Sequence, residues 1–250
     1  MSFNNKVVVV TGSSSGIGAA TAVAFAKEGA SVTIVGRNET KLSAVAAQCA
    51  ADGNEPLVLK ADVSKDEDCK RIIQSTIEKF GKIDVLVNNA GIAKFGSLTD
   101  GTLMKTYDEV MNTNLRAAVV LTSLATPHLI ATKGNIVNIS AIGGTFAPKP
   151  PFLTYCVTKA ALNHFTKGAA LELAPSGVRV NVISPGPVRT DIIENAGFPT
   201  NWDAFAAQTA LGRVSEPEEI AELVMFLASD KAKAITGSNY VTDNGMMLKR

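Results

Sequence analysis

The sequence is poor in the residues that brace a fold covalently or through metal. It has three cysteines, Cys49, Cys69 and Cys156, odd in number, widely spaced and without a Cys-x-x-Cys pair. That excludes a secreted disulfide framework and a zinc ribbon. The two histidines, His128 and His164, are too far apart to suggest a metal helix, and no metal is expected. Charge of one sign is also missing. Twenty-four Lys and Arg against 23 Asp and Glu leave a net +1. This excludes partners held by phosphate neutralisation, whether nucleic acid or an anionic membrane surface. The continuous apolar run near the N-terminus, residues 7–10, is too short for a signal-peptide core or a membrane span. A soluble, cytoplasmic protein is the expectation. Linkers, charge blocks and internal repeats are absent too, so residues 1–250 are expected to form one domain.

What the sequence does have is apolar content, 46%, with 19% charged residues and 20 glycines in 250 residues. A single domain of this length buries roughly three quarters of its unfolded surface, enough for a large core. The apolar residues alternate in two periods. Short Val- and Ile-rich runs at 6–11, 31–35, 56–60, 85–87, 136–139, 178–183 and 239–242 read as strands. Between them, 16–28, 40–51, 66–80, 103–131, 152–174 and 217–228 read as helices, several stopped by a glycine. Strands that are apolar throughout, alternating with helices, specify a parallel sheet buried on both faces. The expected fold is α/β: a three-layer αβα doubly wound parallel sheet, Rossmann-like, of about seven strands with helices on both faces.

The sharpest local feature is Thr11-Gly12-Ser13-Ser14-Ser15-Gly16-Ile17-Gly18, between the first strand and the first helix. Glycines there permit a tight turn, and the helix N-terminus offers N–H groups to a pyrophosphate. At the end of the second strand stand Gly36, Arg37 and Asn38, with no carboxylate until Glu39. A carboxylate would accept from ribose hydroxyls and repel a 2′-phosphate. An arginine can fork onto that phosphate, with Ser13 or Ser14 donating beside it. NADP(H) is therefore favoured over NAD(H). Asp62 and Val63 follow the third strand, where Asp62 either accepts from adenine or orders its loop. Asn89, Ala90 and Gly91 follow the fourth, suited to backbone passing close to a ribose.

Tyr155 and Lys159 lie four apart, on one face of a predicted helix. A free phenol titrates near ~10. A neighbouring cation favours the phenolate and makes the pair an acid–base group. Ser140, at the end of the fifth strand, can hold a carbonyl or alcohol oxygen, or merely cap a turn. Asn112 and Asn114 are poor helix-interior residues and mark a kink or a polar site. Pro185 and Gly186, then Val188 and Thr190, form a loop whose backbone can bind a carboxamide.

In this order these segments resemble the short-chain dehydrogenase/reductase family over nearly the whole chain, from Lys6 to about Gly245. The resemblance implies reversible hydride transfer between a nicotinamide and a carbonyl/alcohol pair. Tyr155 is then the general acid for reduction and Ser140 the group that holds the reacting oxygen. Lys159 lowers the Tyr155 pKa and binds the ribose, and Asn114 holds a water that links Lys159 to solvent. The cofactor set implied is Gly12, Ser14, Ser15, Gly16, Ile17, Gly18, Arg37, Asn38, Asp62, Val63, Asn89, Ala90, Gly91, Tyr155, Lys159, Pro185, Gly186, Val188 and Thr190. A homotetramer is implied as well.

The family's substrate lid falls at about 187–212, which carries Phe198, the single tryptophan Trp202, and Phe205. An aromatic lid suits a bulky apolar carbonyl, such as a steroid (ecdysteroid-like 3-oxo compounds included), a retinoid or a xenobiotic. Equally, these aromatics fit ordinary core. Ile142, Phe146 and Met246 are further pocket candidates. The expected enzyme is an NADP(H)-dependent carbonyl reductase. The alternatives are an NAD-dependent alcohol or hydroxysteroid dehydrogenase and a non-catalytic dinucleotide-sensing module. Two departures from the family pattern stand out. One is the proline-rich stretch 148–151. The other is Asn244 in place of a glycine, a residue that tolerates the left-handed conformation.

Overall fold

The Val-rich run forms strand β1 (Val7–Thr11), whose five residues are all buried. Such a strand is stable only with apolar layers on both sides, and the rest of the chain supplies them. In the computed structural model, which describes residues 2–51, 54–147, 152–197 and 199–249, seven strands form one parallel sheet. The first half runs β1, α1 (Gly16–Lys27), β2 (Ser31–Gly36), α2 (Glu39–Ala51), β3 (Leu57–Lys60) and α3 (Asp66–Phe80). The second begins with β4 (Val85–Asn88), α4 (Leu103–Met111), α5 (Ala117–Thr132) and β5 (Asn135–Ile139). It ends with α6 (Leu153–Leu173), β6 (Arg179–Pro185), α7 (Trp202–Ala206), α8 (Pro217–Ala228) and β7 (Asn239–Thr242).

The spatial order is β3-β2-β1-β4-β5-β6-β7. Winding reverses between β1 and β4, which opens a crevice at the carboxyl ends of the strands. On one face Phe25 of α1, Leu42 of α2 and Ile220 and Val224 of α8 pack on Val8, Val10 and Ile34. On the other, Ile72 of α3, Leu121 and Leu129 of α5, and Leu173 of α6 pack on Val9, Leu86 and Ile136. Each of these side chains contributes about 1.5–3 kcal/mol on burial.

The helix expected over 103–131 spans 103–132 and winds as a π turn at Asn112–Arg116, where a kink or a polar site was expected: the Ala117 N–H reaches back five residues to the Asn112 carbonyl. The extra residue per turn lets Asn114 turn inward, and π turns of this kind recur at functional sites. Arg116, in the same turn, ion-pairs with Asp66 at the start of α3. The stretch 103–132 is long and apolar enough to cross a membrane by length and composition. Its Ala117, Leu121, Ala125 and Leu129, however, are buried in the sheet core. Strand β6 continues through Pro185, where a loop was expected, and the Gly186 N–H still bonds the Thr242 carbonyl of β7 at 2.9 Å. Helix α7 is short and is capped by Asn201 Oδ1 accepting from the Ala204 N–H at 2.9 Å. Asn244 adopts φ 52, the left-handed conformation anticipated for it.

Candidate active site

A cleft of about 700 Å³ runs along the carboxyl ends of the strands at the reversal point. One half is walled by the turn after β1. Gly12 (φ 66) and Gly16 (φ 55) hold left-handed conformations. A Cβ on Gly12 would lie 2.8 Å from the Ala90 Cα, and one on Gly18 would collide with the Gly12 carbonyl. Only glycines allow the turn to close this tightly against the β4 loop. Asn89 clamps the two together, its Nδ2 donating to the Thr11 carbonyl at 2.9 Å and the Gly12 carbonyl at 3.2 Å. Helix α1 then starts at Gly16 with no side-chain cap at Ser15 and no acid in its first turn. Its free N–H groups and positive dipole end face the cleft, as an anion requires.

The residues expected to hold a dinucleotide lie around this half, and they fit one. Ser14, Ser15, Ile17, Arg37, Asn38, Asp62, Val63, Ala90 and Gly91 all line the cleft, as do Pro185, Gly186, Val188 and Thr190. Arg37 is exposed on the rim. Gly36 leaves room for Ser14, whose Oγ would be 3.1 Å from a Cβ there. Ser13 does not share that role. It is fully buried, its hydroxyl donating to the Val10 carbonyl at 3.0 Å and accepting from the Val35 N–H at 2.7 Å. Asp62 stands in the wall while its Oδ1 accepts from the Ser64 N–H and hydroxyl, at 3.1 and 2.8 Å. Asn38 also caps α2, accepting from the Lys41 N–H at 3.0 Å.

At the centre of the cleft the first turns of α6 bring Tyr155 and Lys159 beside Ser140. The Lys159 ammonium lies 5.6 Å from the centre of the Tyr155 ring and donates to the Ile139 carbonyl at 2.9 Å. Burial pushes the Lys159 ammonium down to about 8. Burial also pushes the Tyr155 phenol above its ordinary value. Desolvation of the phenolate is the foremost cause and the neighbouring Cys156 the second, so the chain by itself does not show the lowering expected from Lys159. The Ser140 hydroxyl donates to the Lys159 carbonyl at 3.1 Å and must rotate to meet a substrate oxygen. The Asn114 side chain is held by the backbone of the loop after β4. Its Oδ1 accepts from the Ile92 N–H at 2.8 Å and its Nδ2 donates to the Ile92 carbonyl at 2.9 Å. The amide thereby fixes the loop beside Gly91, within reach of Lys159.

A buried lysine that titrates near 8 rather than 10.5 is a stability cost. Between those values the unfolded chain binds more protons than the folded one, so this contribution to stability rises with pH. Replacing Lys159→Met is expected to remove this pH dependence, so that the parent gains stability relative to the variant as pH rises from about 8 to 10. Urea denaturation of both proteins at several pH values measures it. A stability difference between the two that stays constant from about pH 7 to 10 would refute the cost.

The other half of the cleft is apolar and aromatic. Ile142, Phe146, Phe152, Trp202, Phe205 and Met246 line it, whereas Phe198 lies outside the described residues. Trp202 has the Arg189 guanidinium 5.4 Å from its ring centre and the tilted Phe205 ring 6.1 Å away. Arg189 Nε in turn pairs with Glu216 at the start of α8, at 2.9 Å. Cys156 packs against Gly143, and burial pushes its thiol up to about 11, so it acts as a small apolar residue.

Residues 12–247 match the family model described as enoyl-(acyl carrier protein) reductase. The chain is 36% identical to the meso-2,3-butanediol dehydrogenase of Serratia marcescens, over 98% of this chain and 96% of that one. The crystal structure of a short-chain dehydrogenase from Burkholderia cenocepacia in complex with NADP superposes with a TM-score of 0.92 at 33% identity. It covers 99% of this chain and 100% of that one. The chain belongs to the short-chain dehydrogenase/reductase family. Another member, the 3-ketoacyl-(acyl-carrier-protein) reductase of Brucella melitensis complexed with NADH, superposes with a TM-score of 0.89. Its identity is 32%, covering 98% of this chain and 99% of that one. Like other short-chain dehydrogenase/reductases, the protein is an oxidoreductase acting on CH–OH or carbonyl groups with a nicotinamide cofactor.

Four charged residues in the cleft wall escaped the sequence reading: Lys41, Lys94, Glu109 and Asp191. Lys94 and Glu109 pair with each other at 3.7 Å, and Lys41 pairs with Asp191 at 2.6 Å. In sequence each looks like a solvated surface residue, and only the topology brings the partners together.

Proposed function

We propose that this protein reduces bulky apolar ketones or aldehydes with NADPH, through Tyr155, Ser140 and Lys159. One observation carries the reading. A single cleft places these three residues between a glycine-walled anion site with Arg37 on its rim and a pocket of aromatic and aliphatic side chains. A bound nicotinamide dinucleotide supplies the hydride. Arg37 and Ser14 hold its 2′-phosphate, and the first turn of α1 holds its pyrophosphate. Ser140 turns from the Lys159 carbonyl to the substrate oxygen. Tyr155 keeps its proton at neutral pH, because burial raises its phenol, and that is the form needed to protonate a carbonyl oxygen undergoing reduction. The Lys159 ammonium, 5.6 Å from the ring, stabilises the phenolate left behind. Asn114 is a positioning residue, fixing the Ile92 loop through the π turn.

Among the described residues the pocket carries no cluster of Arg or Lys for a carboxylate or phosphate, and this supports an apolar substrate of steroid, retinoid or xenobiotic type. Exposed Val119 and Ile130 on α5, Leu153 and Val157 on α6, and Leu248 near the C-terminus support a homotetramer built on those faces. A carbonyl panel assayed with NADPH and NADH tests the function. Polycyclic and long-chain ketones with NADPH are expected to exceed small or carboxylate-bearing carbonyls by tenfold or more in kcat/KM, as roughly one to two buried methylenes each add about tenfold. Preference for charged substrates would overturn the apolar assignment.

A further inference from the structure

Lys41 on α2 and Asp191, the first residue after Thr190, stand 150 positions apart in sequence. Strands β2 and β6, which lead to them, lie on opposite sides of the point where the sheet reverses its winding. Their ion pair, 2.6 Å between Nζ and Oδ2, therefore spans the mouth of the cleft. The pair is drawn close by the α1 terminus. Thr190 packs on Gly16 so tightly that a Cβ there would be 2.8 Å from its Cγ2. Lys41 foremost, then the Ser15 hydroxyl, hold the Asp191 carboxyl below its usual range. A carboxylate of the chain itself thus lies beside uncapped N–H groups that suit a phosphate.

We propose that Lys41 and Asp191 form an exchangeable latch, in which an entering dinucleotide displaces the Asp191 carboxylate and Lys41 passes to its pyrophosphate. This rests on the dinucleotide reading given above. Three features support it. Both groups line the cleft, both are partly exposed and so free to part, and Lys41 has no other ion-pair partner among the described residues. The place of Asp191 beside Ser15 points to the pyrophosphate and not to the 2′-phosphate. Lys41 therefore serves NADPH and NADH alike, whereas Arg37 distinguishes them.

Equilibrium binding of NADPH and of NADH to the purified full-length protein, followed by the fluorescence of the reduced nicotinamide, tests the latch. Asp191→Asn is expected to tighten both dissociation constants about threefold, the scale of an exposed ion pair. The gain shrinks at high salt. Lys41→Gln weakens both by a similar factor, and Asp191→Asn added to Lys41→Gln yields little further gain. If the parent binds a dinucleotide but Asp191→Asn leaves the constants unchanged or weakens them, the latch is overturned. Loss confined to NADPH in Lys41→Gln overturns the pyrophosphate role of Lys41. If the parent binds neither dinucleotide, the reading beneath the latch fails and the latch fails with it.

Discussion

Replacing Arg37 by aspartate is expected to weaken NADPH binding about a hundredfold while NADH changes by no more than about threefold. Arg37 stands on the exposed rim of the cleft, one residue beyond Gly36 and beside Ser14. A guanidinium there makes charge-assisted hydrogen bonds to a 2′-phosphate. The aspartate removes them and adds repulsion between like charges. NADH offers ribose hydroxyls at the same place, and these accept a carboxylate partner. Because the site is open to water, the loss of NADPH affinity should diminish as ionic strength rises. Titration of both reduced cofactors into parent and variant measures the ratio. Equal weakening of NADPH and NADH would remove Arg37 from the 2′-phosphate.

Tyr155→Phe is expected to lower kcat by about 10²–10⁴-fold, the usual contribution of a general acid. The substitution deletes one oxygen and keeps the ring, so packing around α6 persists. NADPH should still bind within about fivefold of the parent, since one neutral hydrogen bond at most is lost. A fall in kcat with binding retained separates proton transfer from cofactor positioning. Full activity in the variant would end the case for Tyr155 as the acid.

Much of this architecture is legible in the amino-acid sequence for a physical reason. Strand residues such as Val7–Thr11 are buried on both faces, and only an apolar run satisfies that. Helix and strand periods then set the alternation, and the alternation sets the parallel sheet. The turn at 11–18 is legible because close approach and left-handed φ demand glycine at 12, 16 and 18. Tyr155 and Lys159 are legible because spacing by four fixes a shared helix face.

Other features depend on contacts that spacing does not encode. The backbone at Met111, Asn112 and Ala117 keeps ordinary helical angles, so the shift to five-residue bonding is a matter of which carbonyl each N–H meets. Ser13 and Ser14 are chemically identical neighbours, and only burial under Val35 decides that Ser13 is structural. Asn114 stands out in the sequence as polar and unusual in a helix, yet its partner is the Ile92 backbone, 22 residues away. The direction of the Tyr155 shift depended on how deeply α6 buries the phenol, a property of the packed chain.

The most direct measurement mixes the purified protein with NADPH and a polycyclic ketone, then quantifies alcohol formed against NADPH consumed, with Tyr155→Phe in parallel. The account predicts one alcohol per NADPH with the parent and almost none with the variant. A protein that binds NADPH yet reduces no carbonyl in a broad panel would contradict it.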